Sequence, residues 1–139
     1  MTMSTAVFWP AIVLALLTLG LFVPLVQNRF ASVRRGEAKP GQFKLRSSEP
    51  DASRAYYNAI VNQFETPVLF YAVVLFAFVT GLADGWMVGL AWLYVAFKSA
   101  QTLILVTSNK LRPRMLCFAG AFLVLSVMWI LFAIRLLLV

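Results

Sequence analysis

Four stretches of this 139-residue chain, approximately residues 6–28, 57–81, 86–108 and 115–138, are each apolar and long enough to cross a bilayer. A hydrocarbon core of about 30 Å takes about 20 helical residues. Composition agrees, since 62% of the residues are hydrophobic, 12% are charged and mean hydropathy is +0.86, outside the range of soluble globular domains. The chain therefore reads as a single all-α domain over residues 1–139, an integral membrane four-helix bundle. Between the first two spans, residues 29–56 are polar, carry Pro40, Gly41 and Pro50 and lack a sustained apolar period, so they read as a loop. The other connections, Leu82 to Gly85 and Asn109 to Arg114, are short.

Charge placement predicts the orientation. Arg29, Arg34, Arg35, Lys39, Lys44, Arg46 and Arg54 lie in or beside the long loop, and Lys110, Arg112 and Arg114 lie in the third connection. An even number of spans separates the two, so both loops fall on one side, the cytoplasmic side by the positive-inside rule. Both termini and the Asp84 turn are then outside, with Trp9 and Trp86 in the opposite interfacial belt. The first span has no positive n-region and is longer than a signal-peptide h-region, so it reads as retained. A bacterial inner membrane fits this pattern. The net charge of +7 does not indicate nucleic acid, because the cations cluster beside membrane spans, where topology and anionic headgroups account for them.

Several chemistries are excluded. There is no His, so no Ser-His nucleophile pair forms within the chain, and the five acidic residues are too dispersed for a metal cluster. Cys117 is alone and reads as a packing residue, and no Gly-rich phosphate loop appears. Gly81, Gly85 and Gly89 have the four-residue spacing of a helix contact but straddle a turn, which favours helix termination.

The informative polar residues enter the second span in RAYYNAIVNQFETPVLFY. Arg54, Asn58, Asn62 and Glu65 fall within roughly 80° of one another at about 100° per residue, forming one stripe. A carboxylate and two amides carried into hydrocarbon are costly unless they face protein, water or a ligand. Pro67 removes the donor that would reach the Gln63 carbonyl, which bends the helix or frees an acceptor, and Pro24 does the same near Gly20. In the third span Tyr94, Lys98, Thr102 and Asn109 share a face, with Gln101 beside them. Glu65 and Lys98 differ in depth by only roughly 5 Å, so they are expected to pair within a subunit or across an interface, for register or for catalysis.

With four spans, a long basic first loop and NQFETPVLFY opening the second span, the chain resembles the MAPEG family, membrane-associated proteins in eicosanoid and glutathione metabolism, as a divergent member of bacterial type. Asn62, Glu65 and Pro67 to Tyr71 carry the resemblance, supported by WLYVAFKSAQTLILVTSNK in the third span. It implies a homotrimer with glutathione sites between subunits, where the thiol of this co-substrate is activated without a metal. By motif match Asn62 and Glu65 would contact glutathione, with Arg54, Asn58 and Lys98 as neighbouring binding candidates and Arg112 as the arginine stabilising a thiolate. The chain departs from the family pattern at Asn58 and Lys98, where arginines are usual, at Thr66, where tyrosine is usual, and at Gln101 and Leu105. The expected function is a glutathione-dependent transferase or peroxidase acting on apolar electrophiles. The alternative is a non-catalytic subunit packing against lipids or within a larger membrane complex. A proton path or small transporter using Glu65 and Lys98 is a third class, disfavoured by the absence of paired broken helices.

Overall fold

The computed structural model describes residues 5–45 and 48–138 and is helical throughout, with no strand among them. A 3-10 turn at Thr5–Val7 leads into α1 (Phe8–Arg34), followed after the loop by α2 (Asp51–Gln63), α3 (Thr66–Val79), α4 (Gly85–Val106) and α5 (Leu111–Leu138). Helices α2 and α3 together make the second of four spans. Of the loop cations, Arg46 lies outside the described residues.

The bundle alternates in direction. At one end Phe8 packs on Phe78 with ring centroids 4.6 Å apart, and Arg135 near the end of α5 bonds Asp84 in the α3–α4 turn at 2.8 Å. At the other end Leu21 and Leu25 of α1 cluster with Ala59, Ile60 and Leu105. Between them Val73, Ala77, Met87, Ala91, Tyr94, Leu125 and Met128 form the main core, and α4 and α5 pack most extensively. Outward faces remain apolar, as Leu16, Val79, Leu123 and Leu137 show, which suits lipid rather than water.

Helix ends follow local chemistry more closely than the apolar windows do. The first helix runs six residues beyond Val26-Gln27-Asn28 to Arg34, and the connection shrinks from the expected 29–56 to 35–50. Polar residues there do not oppose a helix; it stops at Gly36, whose φ of +73° is the left-handed conformation that glycine adopts without strain. The Gly36 and Glu37 amides then bond the Val33 and Ser32 carbonyls. Gly81, φ +74°, ends α3 by the same device, with Gly81 and Leu82 bonding Phe78 and Ala77, as its helix-terminating reading anticipates. The fourth span, α5, begins at Leu111 rather than near 115 because Pro113 lies in its first turn, where a missing N–H costs nothing. At the start of α4 the Asp84 carboxylate accepts the Met87 amide at 3.0 Å.

The long connection is folded back rather than free. Glu49, only 5% exposed, takes two bonds from the Arg29 guanidinium, at 2.9 and 2.6 Å, and one from the Ser53 hydroxyl. Arg54 donates to the Glu49 carbonyl at 2.9 Å and pairs with Asp51. A short 3-10 turn, Pro40–Lys44, completes the segment, and Phe43 lies against the Arg29 guanidinium.

Burial works against the Glu49 charge, but the Arg29 and Ser53 hydrogen bonds outweigh it and hold the carboxyl below the usual range. The stability this contributes is complete above about pH 4.3, the ordinary value for glutamate, and is lost as pH falls through the lower folded value. The hydrogen-exchange protection over residues 48–54, each rate taken relative to its intrinsic rate at the same pH, is expected to fall on acidification below about pH 4 in the native protein. In Glu49→Gln protection is low already at neutral pH and nearly independent of pH; an unchanged profile would remove the anchoring role. A second expectation concerns Gly120, where an added Cβ would lie 2.7 Å from Phe97 of α4. Gly120→Leu is expected to cost about 1–3 kcal/mol through overpacking of α4 on α5, read as a lower melting temperature in detergent.

Candidate functional site

The second span does not bend at Pro67; it breaks. Helix α2 stops at Gln63, Phe64 and Glu65 leave helical geometry, and α3 restarts at Thr66 with Pro67 in its first turn. The cause is local: proline supplies no N–H to the Gln63 carbonyl and its ring would crowd a continuous helix. A break at membrane depth leaves backbone acceptors that lipid cannot satisfy. Helix α4 answers it with a row of polar side chains. Lys98 Nζ donates to the Asn62 carbonyl at 3.4 Å, Gln63 donates its amide to Thr102 Oγ1 at 2.8 Å, and Tyr94 donates its hydroxyl to Thr66 Oγ1 at 3.1 Å. Tyr94 is held in turn by stacking on Phe70, with centroids 4.5 Å apart.

Lys98 is only 1% exposed and forms no ion pair among the described residues. The four ion pairs among the described residues are Arg29–Glu49, Arg35–Glu37, Arg54–Asp51 and Arg135–Asp84. The expected Glu65–Lys98 contact within one chain is thus corrected: Glu65 lies in the break with its side chain outward, while Lys98 reaches the inner carbonyl of the preceding turn.

Beside the break, α2, α4 and α5 enclose a cleft of about 340 Å³, within the range of about 300–1,000 Å³ usual for small-ligand sites. Asn58, Asn62, Glu65, Gln101 and Arg114 supply its polar lining; Val61, Leu105, Met115 and Phe118 supply the apolar wall. Arg114 is steadied by a 2.9 Å bond to Asn109 Oδ1. Gln101 is 6% exposed, and its side-chain oxygen has no hydrogen-bond partner. A buried amide oxygen of this kind is costly unless a donor meets it.

The polar stripe therefore divides. Asn58, Asn62 and Glu65 come together on the cleft, and Lys98 supports it from behind through Asn62. Arg54 does not join them, because Glu49 and Asp51 hold it toward the loop. Arg112 is exposed and absent from the cleft lining; it lies in the first turn of α5 instead of at the end of α4. Two residues on a helix are about 200° apart, so when Arg114 faces the cleft Arg112 faces away. Gln63 escaped sequence reasoning, although its place beside Asn62, three residues before a proline-initiated helix, marks it as a side chain near freed backbone. Arg114, Met115 and Phe118 fall on one face of a helix that starts at Leu111, a grouping hidden while Arg114 is assigned to the connection.

Lys98 carries the donor that meets the Asn62 carbonyl at the end of α2. Lys98→Met keeps the volume but leaves that carbonyl unsatisfied, and is expected to cost about 1–3 kcal/mol, read as a lower melting temperature in detergent. An unchanged or higher melting temperature would show that the break does not depend on Lys98.

The chain has no match among curated proteins or among solved structures. A family model described as MAPEG family matches residues 7–134, nearly the whole chain, and takes in every residue of the cleft and most of each of the four spans. With four apolar helices in a bundle of that extent, this integral membrane protein belongs to the MAPEG family.

Proposed function

We propose that the chain is a glutathione-dependent transferase or peroxidase, acting on apolar electrophiles at the cleft beside the α2–α3 break. The observation that carries this reading is the charge pattern of the cleft: one carboxylate, Glu65, and one guanidinium, Arg114, line it together with the amide side chains of Asn58, Asn62 and Gln101. That set suits a small zwitterion with amide groups. Glu65 would hold the tripeptide's ammonium, Asn58 and Asn62 its amides, and Arg114 its anionic end or the thiolate. This assigns to Arg114 the role that the family resemblance suggested for Arg112. A cation near a thiol lowers its pKa, and the apolar wall admits a lipid-soluble co-substrate.

In transfer, the thiol proton leaves to water, the thiolate sulfur bonds the electrophilic carbon, and the leaving group departs with its electron pair. In peroxide reduction, two glutathione molecules give a disulfide while the hydroperoxide becomes alcohol and water. Neither route needs a protein nucleophile; positioning and thiolate stabilisation supply the rate. The open side of the cleft and the exposed Glu65 support completion of the site by a neighbouring subunit in a homotrimer. The cation-rich connections support placement of this end at the cytoplasmic face of a bacterial inner membrane.

Purified protein in lipid nanodiscs is expected to bind glutathione by calorimetric titration, and Glu65→Gln to weaken binding at least about tenfold, one charge-assisted hydrogen bond. Arg114→Gln is expected to lower the rate of thioether formation with a chloronitrobenzene more than it lowers affinity. Absence of glutathione binding would favour a non-catalytic subunit packing against lipids or other membrane proteins. One feature fits that alternative: Thr66, at a usual tyrosine position, accepts the Tyr94 hydroxyl internally instead of presenting a phenol to a ligand.

A further inference from the structure

A second cavity lies at the other side of the same end of the bundle, between the last turns of α1 and the 3-10 turn of the loop. Its volume is about 350 Å³, and it is lined by Val26, Phe30 and Val33 of α1, by Pro40 and Phe43 of the loop, and by Arg29. Arg29 is committed to Glu49 and lies over the Phe43 and Tyr57 rings, so the groove itself is almost wholly apolar. Phe30, near the C-terminal end of α1, is 69% exposed and leaves the groove open on its outer side.

Two further observations identify what covers it. Leu19, Val23, Val26, Phe30 and Val33 follow spacings of four, three, four and three, so they fall within roughly 80° on one face of α1. Leu19, Val23, Val26 and Phe30 are all exposed, giving a continuous apolar track from the middle of the span into the groove. At the polar end, three groove residues each have a cation as chain neighbour: Arg34 after Val33, Lys39 before Pro40 and Lys44 after Phe43. All three cations are exposed, and none has an ion pair among the described residues, in contrast to Arg29, Arg35 and Arg54. An apolar track ending among unpaired cations matches an anionic amphiphile. A second copy of this chain would bring like charge to the same place.

We propose that this groove is a specific seat for one anionic phospholipid, its acyl chain along the Leu19–Phe30 face of α1 and its phosphate among Arg34, Lys39 and Lys44. The loop turn then folds over the lipid near the headgroup level, and Phe43 closes the groove against the upper part of the chain. Each cation near an anionic headgroup contributes attraction that lipid of zero net charge cannot recruit, so the seat discriminates by headgroup while the track supplies affinity for the tail.

The test uses the full chain, solubilised and delipidated in a neutral detergent, titrated with dioleoyl phosphatidylglycerol or dioleoyl phosphatidylcholine and read by native mass spectrometry. One phosphatidylglycerol per subunit is expected to bind at least about tenfold more tightly than phosphatidylcholine. The triple substitution Arg34→Gln, Lys39→Gln, Lys44→Gln is expected to abolish that preference, and Phe30→Asn to weaken both lipids. Melting curves show whether each variant is folded, and all four positions are on or near the surface. Equal binding of the two lipids, or a preference that survives the triple substitution, overturns the proposal. So does a loss of oligomer mass in Phe30→Asn with lipid binding intact, which would make the groove a contact between copies.

Discussion

A helix interrupted inside a membrane must find hydrogen-bond partners from protein, and here the fourth helix in chain order supplies them. Lys98 meets the Asn62 carbonyl, Thr102 meets the Gln63 amide, and Tyr94 meets Thr66, so three positions at four-residue spacing on α4 brace the two sides of the α2–α3 break. The Lys98 bond satisfies a freed backbone carbonyl, and the other two tie side chains on either side of Phe64 and Glu65 to α4. Everything polar in the cleft follows from the break. With an unbroken helix there would be no terminal carbonyl for Lys98, no outward Glu65 and no reason for a buried row of hydroxyl, amide and amine on α4.

The same row explains why the site is partly legible in the sequence. Four spans follow from apolar length alone, because lipid leaves the backbone few choices, and Asn58, Asn62 and Glu65 are found by their helical period. Lys98 and Thr102 are found as a shared face. What periodicity cannot find is where a helix stops. Carrying one period through residues 54–65 places Arg54 with the others, yet the Glu49 carbonyl and the Asp51 carboxylate, both on its N-terminal side, claim it. Glu49 has no local pattern to announce it, since its partners Arg29 and Ser53 come from two different helices. Arg112 and Arg114 illustrate the same limit: the choice between them depends on the start of α5, and a shift of two residues turns the helix by about 200°.

Charge in this chain is sorted by the folded connection. Arg29, Arg35 and Arg54 are consumed by the acids of their own segment, while Arg34, Lys39 and Lys44 remain outward. A positive loop thus contains two populations with different work. The paired set pins the 35–50 segment onto α1 and α2, and the unpaired set gives the membrane end its net charge. At the opposite end Asp84 joins both tasks in one residue, capping α4 through the Met87 amide and holding α5 through Arg135.

The break between α2 and α3 sets a physical problem that this member of the MAPEG family solves with its own side chains. A proline-started α3 creates free carbonyls whatever lines the cleft. An arginine at position 98 would bring five donors to that place, whereas lysine brings three on a thinner stem and satisfies a single carbonyl. Gln101, one turn further along the same helix, lines the cleft and keeps a buried side-chain oxygen without a partner. The chain therefore braces its break with one lysine on one carbonyl, while Asn58, Asn62, Glu65, Gln101 and Arg114 give the cleft beside it a polar lining.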